Sequence, residues 1–192
     1  LILVGDSASM MIYGYNTTLP VTMDEMLLIV KAVCRGAKKS LVVADMPFLS
    51  YQPSVEETIK NAGLFLKEGG ASAIKLEGGA RVQEHIKSLV SCGIPVLGHI
   101  GLTPQSYHQF SGYKIQGKTP KDAQKILEDA LAVEEAGAFG VVLECMPEEL
   151  SKDITEKIQI PTIGIGAGKH CDGQIQVFHD LLGYSASRLP RH

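Results

Sequence analysis

Six ionisable side chains fall at or just beyond the C-terminal ends of short apolar runs. Asp6 closes LILVGD, Asp45 closes SLVVAD, Lys75 and Glu77 lie in SAIKLEGG, His99 lies in IPVLGHIG, and Glu144 follows GVVL. In parallel α/β folds the C-terminal ends of the strands gather at one rim, where ligands bind. Charged groups delivered there from separate apolar strands are costly unless they meet a metal ion or a charged substrate. Two or three carboxylates without a His/Cys cluster suit Mg²⁺, which binds through one or two carboxylates together with waters and substrate oxygens.

Each of these residues also has a plainer role open to it. Asp6 and Asp45 could cap helices, though Pro47 makes that less natural for Asp45. Lys75 and Glu77 flank Leu76 and so share one face of a strand; on an edge strand they would make a surface ion pair. A lone histidine such as His99 is more often structural than a ligand. Glu144 ends the most apolar run, so its carboxylate is expected to be partly desolvated, as a general base is tuned; its plainer role is a pairing with Lys75. Gly164-Ile165-Gly166-Ala167-Gly168 suits either an anion cradle or a tight turn that lets elements pack closely. It lacks the GxGxxG spacing of a dinucleotide site.

The elements that must position these groups are legible as an alternation. Runs at 1–7, 40–47, 72–79, 94–101, 140–147, 160–168 and, more weakly, 175–180 are rich in Val, Ile and Leu, and apolar throughout, as strands covered on both faces are. Between them, Thr22-Met23-Asp24-Glu25 and Ser54-Val55-Glu56-Glu57 spell capping boxes, the second opening a helix that stops at Gly69. Val82 to Val90 forms a third helix, Ala123 to Leu131 the face of a fourth ended at Gly137, and Pro147 is expected in the first turn of a fifth. The polar stretch from Leu102 to Asp122 is a candidate lid. Seven strands would fit a doubly wound open sheet; a (β/α)₈ barrel needs an eighth, expected upstream of Leu1. The abrupt ends, LILVGD and LPRH, read as a single barrel domain over 1–192 truncated on both sides.

Composition narrows the class. The 192 residues are 45% hydrophobic and 20% charged, with a net charge of −3, which supplies no basic field for nucleic acid or a membrane surface. No apolar run reaches the roughly 20 residues a membrane span requires. Cys34, Cys92, Cys145 and Cys171 are scattered without a CxxC pair, fitting a reducing, cytoplasmic setting. A mitochondrial address upstream of residue 1 stays open for a eukaryotic chain.

In order along the chain, VGDS (4–7), TLPVT (18–22), ADMPF (44–48), KLEGG (75–79), GHIGLTPQS (98–106), SGYKIQG (111–117), LEC (143–145) and IGIGAG (163–168) resemble the ketopantoate hydroxymethyltransferase family. The resemblance implies a (β/α)₈ TIM barrel of the phosphoenolpyruvate/pyruvate-binding type. It also implies hydroxymethyl transfer from 5,10-methylenetetrahydrofolate to 3-methyl-2-oxobutanoate through a Mg²⁺-stabilised enolate. Carried over by position, Asp6 and Asp45 match the direct Mg²⁺ ligands, and Glu77 matches a carboxylate joined to the metal through water. Ser7 and Lys75 match residues that hold the α-keto acid, with Asp6 and Asp45 beside them. Glu144 matches the proton acceptor, and His99 a polar residue lining the substrate pocket. A homodecamer of five dimers is implied as well. The pattern departs at Ala8-Ser9, where the family has a Leu-Gly-like pair; a glycine at positive φ there would leave Ser9 strained. The alternatives are another Mg²⁺-dependent α-keto acid lyase or aldolase of the same barrel superfamily, disfavoured by the lack of a KKCGH-like segment, and a non-catalytic metabolite-binding relative.

Overall fold

The computed structural model describes residues 1–110 and 112–184; Ser111 of the SGYKIQG motif and the LPRH end lie outside them. Seven strands, β1 (Ile2–Val4), β2 (Val42–Asp45), β3 (Ala73–Lys75), β4 (Val96–Gly101), β5 (Gly140–Glu144), β6 (Thr162–Ile165) and β7 (Gly173–Gln174), form one sheet. All its pairs are parallel and follow chain order. The helices α1 (Ala8–Met11), α2 (Met23–Gly36), α3 (Val55–Lys67), α4 (Gln83–Ser91), α5 (Tyr107–Phe110), α6 (Pro120–Glu135), α7 (Glu148–Lys157) and α8 (Phe178–Leu181) alternate with them. One cavity is lined both by β1 and by residues 175–179 beyond β7, so the sheet curls until its two ends face one another. This is a barrel-type α/β architecture. Among the described strands β1 and β7 are not paired, and an eighth strand is not among them.

Local sequence accounts for most of these elements. At α2 the capping box is complete: Thr22 Oγ1 accepts from Glu25 N at 3.3 Å, and Glu25 Oε2 accepts from Thr22 N at 2.8 Å. At α3 Ser54 supplies its half, accepting from Glu57 N at 3.1 Å. Thr119 caps α6, which opens on Pro120 and ends before Gly137 at φ +91°. Two expectations are corrected. Pro147 stands at the N-cap of α7, one position ahead of the first turn. The run at 175–180 is not a strand: β7 is Gly173–Gln174, which pairs with Ile163 and Gly164, while Phe178 to Leu181 turn into α8. Inter-strand pairing, not side-chain preference, decides that register.

Strand alternation then sorts the side chains. Val4, Val42, Ala44, Ile74, Val96, Val141 and Leu143 pack outward with residues of the helices, such as Met26, Phe65, Ile86, Val133 and Ile154. Val43, Ala73, Leu97 and Val142 form a second cluster on the other face, with Leu3, Ile163 and Ile165 against it. A two-residue period carries this inward direction to the strand ends: Val43 to Asp45, Ala73 to Lys75 and Glu77, Leu97 to His99, Val142 to Glu144. The charged groups therefore top the inner face of the sheet.

Candidate active site

The structure brings these groups together. Asp45 is directly paired with Lys75 in the β2–β3 register, and Lys75 Nζ lies 2.9 Å from Asp45 Oδ1, 3.8 Å from Glu77 Oε1 and 3.1 Å from His99 Nδ1. His99 Nε2 in turn lies 3.0 Å from Glu144 Oε2. Asp6 joins through its main chain, its N–H donating to Asp45 Oδ2 at 3.0 Å. Asp6, Asp45, Lys75, Glu77 and His99 are all buried, whereas the Glu144 side chain is 17% exposed.

The plainer roles are thereby settled. The cap position of α1 is Ser7, with no side-chain cap bond, and no helix starts after Asp45 until Val55. Lys75 and Glu77 are interior, not a surface pair, and the close partner of Glu144 is His99. Ser9 sits within α1 outside the positive-φ residues and donates to Thr17 O at 2.8 Å, so the expected strain at Ala8-Ser9 is absent. The glycines at 164–168 serve close packing. A Cβ on Gly168 would stand 2.5 Å from Glu148 Cγ, and Ser151 Oγ donates to Ala167 O.

Burial governs the electrostatics. It pushes the Asp6 carboxyl well above the ordinary range, and the nearby Asp45 and Glu77 push further. Asp45 is also raised by burial, although Lys75 opposes it. For Glu77, burial is outweighed by the nearby His99 imidazole and the Lys75 charge, and its pKa falls. Lys75 is held above its usual value because Asp45 and Glu77 outweigh desolvation. His99 is raised to about 9: burial and Lys75 act downward, but contacts with Glu144 and Glu77 prevail.

The donor set fits a hard dication. Asp45 Oδ1 meets Lys75 Nζ at 2.9 Å, whereas the buried Glu77 Oε1 has no hydrogen bond and only the longer contacts to Lys75 at 3.8 Å and His99 at 3.5 Å. Asp6 and Asp45, both raised by burial, together with the unbonded Glu77 Oε1 are what an added positive charge would stabilise. Among the described residues no three His, Cys, Asp or Glu side chains form a ready-made cage, and Mg²⁺ does not ask for one. Ser7 borders the same cavity of about 530 Å³, together with Asp6, Asp45, Lys75, Glu77, His99 and Glu144. Gly5 leaves it room, since a Cβ there would stand 3.1 Å from Ser7 Oγ.

Ketopantoate hydroxymethyltransferase is the family whose model matches, over residues 1–192. The chain belongs to the ketopantoate hydroxymethyltransferase family. It is 60% identical to the 3-methyl-2-oxobutanoate hydroxymethyltransferase of Carboxydothermus hydrogenoformans over 190 residues, which cover 99% of this chain and 69% of that protein. Against the protein of that name from Dehalococcoides mccartyi the identity is 57% over 191 residues, covering 100% and 68%. At the level of fold it is similar to the crystal structure of 2,3-dimethylmalate lyase, a PEP mutase/isocitrate lyase superfamily member. There the TM-score is 0.56 at 14% identity, covering 93% of this chain and 60% of that one. No helix among the described residues is long and apolar enough to cross a membrane.

Two residues of this ketopantoate hydroxymethyltransferase family member escape sequence reasoning. Gln105 is buried and donates from Nε2 to Asp6 Oδ2 at 3.0 Å and from its main-chain N–H to Glu77 Oε2 at 3.0 Å. Tyr51, wholly buried, donates to Gln105 Oε1 at 2.8 Å. Neither stands at a strand end; the signal that could have found them is a polar side chain within the GHIGLTPQS and ADMPF neighbourhoods.

Proposed function

We propose that this chain transfers a hydroxymethyl group from 5,10-methylenetetrahydrofolate to 3-methyl-2-oxobutanoate, giving 2-dehydropantoate (ketopantoate) for pantothenate and coenzyme A synthesis. Family membership supports the reaction. The observation that carries the assignment of roles is one partly exposed carboxylate, Glu144, facing a buried acidic cluster in which Glu77 Oε1 has no hydrogen bond.

Asp6 and Asp45 would hold Mg²⁺ directly and Glu77 would hold it through water. When bound, the ion supplies Lewis acidity toward the keto and carboxylate oxygens of the substrate. Ser7 and Lys75 orient the substrate carboxylate; Lys75 is already fixed by Asp45, so its charge is in place before the substrate arrives. Glu144 takes the proton from C3, and His99, 3.0 Å away, holds that carboxylate toward the cavity. Water hydrolyses the methylene bridge of the folate, breaking its two C–N bonds to release tetrahydrofolate and formaldehyde, and the deprotonated C3 adds to that carbonyl carbon, whose oxygen takes up a proton as the new hydroxyl. Residues 102–110 and 112–118 limit entry of bulk water; Tyr113 Oη reaches Met10 Sδ at 3.7 Å, linking this stretch to α1. The same reading implies a cytoplasmic homodecamer, which analytical ultracentrifugation checks.

The test is deuterium exchange at C3 of 3-methyl-2-oxobutanoate, followed with and without Mg²⁺ and tetrahydrofolate. Exchange that needs Mg²⁺ is expected. No exchange under any of these conditions, or exchange indifferent to the metal, overturns the reading.

A further inference from the structure

Tyr51 and Gln105 lie beside the charge cluster without adding charge to it, and their hydrogen bonds have only one consistent direction. The main-chain N–H of Glu77 can only donate, and it points at Tyr51 Oη, 3.2 Å away. Tyr51 Oη also lies 3.2 Å from the Glu77 carbonyl, and its single proton goes to the shorter contact, Gln105 Oε1 at 2.8 Å, where Gln52 Nε2 donates as well at 3.0 Å. At the opposite end of the Gln105 amide, the carbonyl of Met46 can only accept, and it lies 2.8 Å from Nε2. A fixed donor on one side and a fixed acceptor on the other leave the amide one orientation, with its NH₂ toward Asp6 Oδ2.

The consequence is a common pattern on all three carboxylates. Asp6 Oδ2 receives Gln105 Nε2, Glu77 Oε2 receives Gln105 N, and Asp45 Oδ2 receives Asp6 N, each at 3.0 Å. One oxygen of each is thereby engaged, and the other is left to face an ion. In Glu77 that other oxygen is the buried atom without a hydrogen bond, and in Asp45 it meets the Lys75 ammonium at 2.9 Å. Resting on the reading of this cluster as a Mg²⁺ site, we propose that Gln105, oriented by Tyr51, is the positioning residue that decides which oxygens of Asp6 and Glu77 are offered to the cation.

The test measures binding of Mg²⁺ alone to the purified protein by calorimetry, with Mn²⁺ paramagnetic resonance as a second probe. It compares the wild type, Q105M, Y51F and the double variant. Outer-shell partners typically govern about 10- to 100-fold in metal affinity, and a loss in that range is expected for Q105M. Y51F should lose less, about threefold or more, and should add little once Gln105 is gone, because its other bonds go to the Glu77 main chain and not to a carboxylate. A merely structural role would instead show as a shift in thermal unfolding of the metal-free protein, with Mg²⁺ affinity unmoved. Should Q105M fail to fold, Y51F alone decides, since it deletes one oxygen and leaves the Gln105 packing. Single variants within about twofold of wild type, or losses that multiply in the double variant, overturn the relay while leaving the metal site standing. A wild-type protein that binds neither ion overturns both.

Discussion

Replacing Glu144 by Gln separates the proposed proton acceptor from the groups proposed to bind substrate. The side chain is 17% exposed and its close partner is His99 Nε2 at 3.0 Å, so the amide keeps the volume and one polar contact while removing the charge. His99 still has Glu77 Oε1 at 3.5 Å, so the cost in folding stability should be modest, about 1 kcal/mol. A positioned base is worth about 10²- to 10⁴-fold in rate. At about 1.4 kcal/mol per decade this is roughly 3–5 kcal/mol of barrier, well above the stability term. The assay is the disappearance of the C3 proton signal of 3-methyl-2-oxobutanoate in D₂O by NMR at saturating Mg²⁺, with the substrate Kd and thermal unfolding measured on the same sample. Exchange should fall by about two to four decades while Kd stays within about threefold. Exchange at the wild-type rate refutes the role given to Glu144. Binding lost as fully as exchange refutes its separation from the groups that hold substrate.

Four further outcomes follow from the geometry. Asp45→Ala leaves the buried Lys75 ammonium without its 2.9 Å partner, so unfolding free energy should drop by about 3–5 kcal/mol, and calorimetry should show weakened Mg²⁺-dependent substrate binding. Gly101→Ala should cost about 1–2 kcal/mol for a left-handed residue and about 1–3 more for overpacking, because φ is +89° and a Cβ would meet Glu144 O at 2.4 Å. Gly14→Ala, at φ +74° with nothing within 4 Å, should show only the first cost in the same denaturant titrations. Thr22→Ala should remove about 1 kcal/mol by opening the α2 capping box, read as a lower denaturation midpoint at unchanged slope.

The charged groups of the site were legible because strands impose a period of two. Once Val43, Ala73, Leu97 and Val142 face inward, Asp45, Lys75, His99 and Glu144 must do the same. Thr22-Glu25 was legible because a capping box is a contact between residues three apart, which spacing alone specifies. Gln105 and Tyr51 were not. Both are neutral and lie outside the strands, and their role arises from a contact across 54 residues that no local pattern encodes. β7 was misplaced for the opposite reason: IQVFHD has the apolar alternation of a strand, but Gly173 and Gln174 hold the hydrogen-bonding positions beside β6. The partner of Glu144 was likewise set by the β4–β5 register, which pairs His99 with Val142 and Gly101 with Glu144 and so brings imidazole and carboxylate onto adjacent strands.

The strand order itself has a bearing on how the protein matures. Because the sheet is laid down strictly in sequence, its acidic centre draws on segments that leave the ribosome far apart in time, Asp6 near the start and Glu144 some way after. Wide sequence separation between partners slows the search for them. A half-made chain can therefore gather the groups that would grip the ion before it owns the one that moves the proton, so chemical competence arrives only after β5 has docked.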